Sequence, residues 1–97
     1  MGEVNKYIKG AVYEWKVKKE YENKNYLVIR SAGSHSPIDL VAINEKEIIF
    51  IQCKRIKKIS SIEKKEIEDF KKIKIPFNCR KEFHIKRDYE NEIIIPC

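Results

Sequence analysis

The 97-residue chain lacks any long apolar run; its longest unbroken stretches are four residues each, Leu40–Ile43 and Ile48–Ile51. A membrane-crossing helix needs about 20 consecutive apolar residues, so none is expected. The charged N-terminus also lacks the apolar centre of a secretory leader, which makes a cytoplasmic protein without membrane contact the expectation. Three glycines and three prolines are too few for linkers, and no segment repeats another. A single domain over residues 1–97 is expected. Cys53, Cys79 and Cys97 are odd in number and form no C-x-x-C pair. That argues against a disulfide framework or a zinc site and fits a reducing compartment.

Charge, in contrast, is plentiful. Lys and Arg total 21 against 15 acidic residues, a net charge of +6. This balance suits a polyanionic partner, nucleic acid being the commonest. It suits equally a lysine-rich surface that is merely solvated. At 42% hydrophobic the chain can fold, but a chain this short buries only a thin core, so a partner subunit is expected.

The patterning predicts a helix over 3–22, with Val4, Ile8, Ala11, Val12 and Trp15 on one arc and Gly10 on the open side. Lys24-Asn25 breaks it. Tyr26–Arg30 reads as a strand, and the small polar loop 31–37 follows. Ile38–Ile43 and Glu47–Lys54, joined by Asn44-Glu45-Lys46, read as a β-hairpin. Ser60, Ser61 and Glu63 resemble a capping box opening a second helix, with Ile62, Ile67, Phe70 and Ile73 on one face and Pro76 ending it. Lys81–Arg87 and Glu92–Ile95 complete the order αβββαββ, an α/β chain of the α+β kind with helices against a mixed sheet.

One constellation stands out: Glu14 on the first helix, Asp39 on the second strand and Gln52-x-Lys54 on the third. Alternate strand residues share a face, so Gln52 and Lys54 point one way, Ile51 and Cys53 the other. If Ile43 pairs with Ile48, Asp39 stands opposite Gln52, with Cβ atoms about 5 Å apart. A carboxylate oxygen and an amide oxygen at that separation can reach one divalent cation. Lys54, one step along, can orient water or balance developing charge. Hard oxygen ligands suit Mg²⁺, the usual ion of phosphodiester hydrolysis. The Cys53 side chain is expected in the core, and its backbone carbonyl is a further candidate ligand. A bland reading stays open for each residue alone: Glu14 could pair with Lys18, and Asp39 could be an ordinary turn residue. His35 could contact phosphate or shuttle a proton, or simply be solvated. The run Lys54-Arg55-x-Lys57-Lys58 could track a phosphate backbone or be a solvated stretch.

Gly10-x-x-x-Glu14, Arg30-Ser31-Ala32-Gly33-Ser34, Pro37-Ile38-Asp39-Leu40-Val41-Ala42 and Gln52-Cys53-Lys54 together resemble the archaeal-type Holliday-junction resolvases. These belong to the PD-(D/E)XK nuclease superfamily, whose core is restriction-endonuclease-like. The resemblance spans about residues 9–58 in residue type and spacing. It implies a homodimer that binds four-way DNA junctions and cuts them with Mg²⁺ or Mn²⁺. By position it implies catalytic places for Glu14, Asp39, Gln52 and Lys54, and places near the scissile strand for Arg30 and Ser34. The chain departs from the family at Gln52, where a carboxylate is usual, and at Trp15, where Arg is usual. It also looks short at its C-terminal end. A different nuclease of the same superfamily, or a DNA-binding module without catalysis, fits the same residues.

Overall fold

The computed structural model describes residues 6–32, 36–56 and 61–97. Its elements follow the expected order: α1 (Lys6–Asn23), β1 (Leu27–Arg30), β2 (Leu40–Ile43), β3 (Ile48–Ile56), α2 (Ser61–Lys71), β4 (Cys79–Arg87) and β5 (Ile93–Pro96). Helix α1 stops because Asn25 takes a left-handed conformation, φ 70°. The Tyr26 N–H then bonds back to the Tyr21 carbonyl and the Asn25 N–H to that of Glu22, the αL closure that Asn tolerates better than most residues.

The five strands form one sheet in the order β1-β2-β3-β4-β5. All neighbours are antiparallel except β3 and β4, which run parallel; α2 is the crossover that a parallel pair requires. The 44–47 connection is fixed by Asn44, whose Oδ1 accepts the N–H groups of Lys46 at 2.8 Å and Glu47 at 2.9 Å. Ile43 pairs with Ile48 and Leu40 with Ile51, the expected register.

Each side of the sheet has its own core. On one side Tyr13, Val17 and Tyr21 of α1 pack on Val28, Leu40, Ala42, Ile49 and Ile51. On the other, Phe70 of α2 packs on Phe83 and Ile85, flanked by Ile67 and Ile73, as the second helix's pattern predicts. Burying one such side chain contributes about 1.5–3 kcal/mol. The α1 arc is a correction: Ile8, Val12 and Trp15 are about half exposed, and the row at 13, 17 and 21 faces the sheet instead. Tyrosines make up most of that row. Their hydroxyls find carboxylates, Tyr13 on Glu92 at 2.7 Å and Tyr21 on Glu82, so polar-tipped residues take the inner face. Val4, the Ser60 capping box and the Ile62 side chain lie outside what the structure describes. Strand β4 begins at Cys79, ahead of the expected Lys81, and buries Lys81, Glu82 and His84.

Candidate active site

The β2–β3 hairpin builds the site where its two strands part. The Asp39 N–H donates to the Ile51 carbonyl at 2.8 Å, and its Oδ2 accepts the Cys53 N–H at 2.8 Å. Asp39 is thus bonded to both residues that flank Gln52, but its N–H meets the carbonyl of Ile51, the residue already paired with Leu40, so the backbone is one step off the alignment that would set Asp39 directly opposite Gln52. Its carbonyl accepts the Ser31 N–H at 2.9 Å, tying the end of β1 to the same point. A strand residue's N–H and C=O leave by one edge, so the Cys53 carbonyl faces the Asp39 side while its thiol packs against the α1 core. Burial pushes that thiol's pKa up, leaving the side chain a neutral core group.

Desolvation pushes the Asp39 carboxyl up to about 6; the charge of Glu14 adds to the rise, while the Cys53 N–H, Arg30 and Lys54 oppose it. A half-buried carboxylate left short of compensating charge is a natural place for a cation. The available donors are the Asp39 carboxylate, the Gln52 amide oxygen, the Cys53 carbonyl and, from the helix, Glu14. These are hard oxygens suited to Mg²⁺ or Mn²⁺. Among the described residues no three His, Cys, Asp or Glu groups form a metal cluster, so the fit depends on the amide and carbonyl oxygens.

Glu14 pairs with Arg30, Oε1 to Nε 3.1 Å, while Lys18 pairs instead with Glu22 at 2.8 Å. The Glu14–Arg30 pair joins α1 to the end of β1 beside Asp39. Lys54 shares the α2-facing side with Gln52, since their β4 neighbours are Ile85 and Phe83. There its Nζ bonds to Glu66 Oε1 at 3.1 Å. Arg55 projects to the opposite side, where it binds Asp88 and the Ile56 carbonyl. Ser34, His35, Lys57 and Lys58 lie outside the described residues.

Glu66 was missed by sequence reasoning because acids and lysines alternate around its helix. A signal did exist: Glu66 falls four residues from both Ile62 and Phe70, on the helix face that carries the apolar residues.

A mixed five-stranded sheet between two helices, with an acid, an amide and an ammonium where its hairpin parts, has the core of the restriction-endonuclease-like proteins. The chain belongs to the archaeal Holliday junction resolvase (Hjc) family, whose model matches residues 5–95. It is similar to the crossover junction endodeoxyribonuclease Hjc of Methanocaldococcus jannaschii, 38% identical over 65 residues, which are 66% of this chain and 48% of the relative. The chain therefore spans about half the length of that curated relative. Among solved structures it is similar to Archaeoglobus fulgidus Hjc, a Holliday junction resolvase from an archaeal hyperthermophile. The TM-score is 0.63 at 24% identity, covering 91% of this chain and 72% of that one. That likeness shows the fold.

Proposed function

We propose that the protein is a metal-dependent, structure-selective DNA endonuclease, a Holliday-junction resolvase that cuts four-way DNA junctions as a homodimer with Mg²⁺, Mn²⁺ substituting. The observation that carries this is Asp39 bonded to both neighbours of Gln52, with Lys54 on the same strand face. Asp39, Gln52 and the Cys53 carbonyl would hold the cation, with Glu14 completing the site from the helix. A divalent ion bound there polarises phosphate oxygens and makes its water a stronger nucleophile. Lys54 orients the attacking water and neutralises charge on the phosphate. Arg30, held by Glu14, presents a guanidinium to the scissile strand. Ser34, His35, Lys57 and Lys58 are the proposed DNA contacts, with salt-sensitive affinity; Arg55, held by Asp88 on the opposite side of the sheet, serves the fold instead.

A twin subunit is supported by apolar surface the chain leaves open, Leu27 and Ile29 on β1 and Ile8, Val12 and Trp15 on α1. Two-fold pairing sets two sites against opposite strands of a junction of matching symmetry. Cleavage of a synthetic four-way junction in Mg²⁺ and in Mn²⁺ is the test. Asp39→Asn and Lys54→Ala should each lower cleavage at least about 100-fold while junction binding persists. Cutting that survives Asp39→Asn removes Asp39 from the mechanism, and equal cutting of junction, duplex and flap points to another nuclease of the superfamily. Gln52 favours one second reading, a DNA-binding module without catalysis. That reading predicts salt-sensitive binding and no cleavage in either metal.

A further inference from the structure

Gln52 leaves the site with an unbalanced charge count. The resemblance implies carboxylates at positions 39 and 52; this chain has one carboxylate and a neutral amide. The missing charge is present nearby, on another element. Glu66 lies on α2, the helix covering the strand face that carries Gln52 and Lys54. Both of its carboxylate oxygens stand 3.1 Å from Lys54 Nζ. Oε1 accepts the hydrogen bond, whereas Oε2 is shielded from solvent and accepts none among the described residues. Its helical row is otherwise apolar and includes buried Phe70, so the carboxylate is held towards the sheet.

An ordinary exposed ion pair contributes little and needs no particular place. This one engages the lysine of the site, and Lys54 in turn acts electrostatically on Asp39. We propose that Glu66 is the site's second carboxylate: reaching Lys54 from α2, it positions that ammonium and supplies towards a divalent cation the negative charge that Gln52 lacks. The proposal rests on the metal-dependent reading above and names the residue that makes an amide tolerable at position 52.

The test is Mn²⁺ binding by titration calorimetry on DNA-free protein, with thermal unfolding of every variant alongside. Glu66→Gln should weaken Mn²⁺ binding about 10-fold or more, the effect typical of losing a supporting carboxylate. Asp69→Asn removes the same charge from the exposed side of α2, where Asp69 pairs with Lys65 at 2.9 Å, and should leave affinity unchanged. Gln52→Glu added to Glu66→Gln should restore the lost affinity, because it returns the charge to the strand. Glu66→Asp, which withdraws the charge by one methylene, should give a smaller loss and serves where Glu66→Gln does not fold. Unchanged affinity in Glu66→Gln or Glu66→Asp overturns the proposal, as does a double variant no better than Glu66→Gln. Wild-type protein that binds no Mn²⁺ overturns the metal reading as well; wild-type binding matched by Glu66→Gln overturns the present proposal alone.

Discussion

Asp39 concentrates the conflict between folding and chemistry. Burial raises its carboxyl to about 6, against 3.8 when unperturbed. The unfolded chain therefore releases this proton at lower pH than the folded protein, and ionised Asp39 opposes folding. The penalty is absent below about pH 4, grows as pH rises towards 6 and is constant above. Asp39→Asn keeps an acceptor for the Cys53 N–H and removes the charge. In a chelator at pH 7.5 its melting temperature should exceed that of the wild type by a few degrees, roughly 1 kcal/mol in a domain of this size. The gain should vanish by pH 3.5, as circular-dichroism melts at the two pH values will show. A lower melting temperature at pH 7.5 would mean that the carboxylate is fully compensated in the folded protein.

Helix α2 depends on a contact that its own sequence does not announce. Buried Lys81 donates from Nζ to the carbonyls of Phe70, Lys71 and Ile73, each at 2.7 Å, satisfying groups that a helix end otherwise leaves orphaned. Lys81→Met keeps the bulk and strands those carbonyls. It should cost about 3 kcal/mol, measured by urea unfolding. A loss under about 1 kcal/mol would mean that water replaces the ammonium. Element types and order were legible in the sequence because strand runs, the apolar spacing of the second helix and turn residues are local signals. The hairpin register was legible because two apolar runs flank the polar 44–47 turn, which Asn44 closes with its own side chain; the backbone step at Asp39, whose N–H reaches Ile51, was not. The packing side of α1 was not: periodicity locates the apolar row but is silent on a tyrosine row whose hydroxyls meet Glu92 and Glu82, 79 and 61 residues away. The Lys54–Glu66 pair was hidden for a similar reason, since it exists only once α2 packs on the sheet at β4.

Across the entire chain, a polar network on the α1 side ties distant segments together. Glu82 accepts from Tyr21, Arg80 and, at 3.0 Å, His84, while Arg80 and Tyr26 also hold Glu47 beside the hairpin turn. Burial alone would raise the Glu82 carboxyl; the hydrogen bonds from His84, Tyr21 and Arg80 outweigh it and hold it at about 2. This depressed value makes ionised Glu82 stabilising at neutral pH. The contribution is present above about pH 4.5 and is lost as pH falls from there towards 2. Glu82→Gln should lose about 3 kcal/mol at pH 7, as expected for breaking a buried charged network. Its denaturant midpoint should also fall less steeply than wild type between pH 4.5 and 2.5, and parallel acid limbs would place the acid sensitivity elsewhere. The two cores and this network make α1, the hairpin and β4 one cooperative body, so the site's geometry is only as firm as contacts remote from it.

Strand β3 answers two unrelated demands at alternate steps. Side chains 49, 51 and 53 pack beneath α1, whereas 52 and 54 face the α2 side, where Lys54 meets Glu66. Exchanging Cys53 for another small hydrophobe is then a question of shape, because only its peptide group serves Asp39. Altering either neighbour changes what the strand can bind.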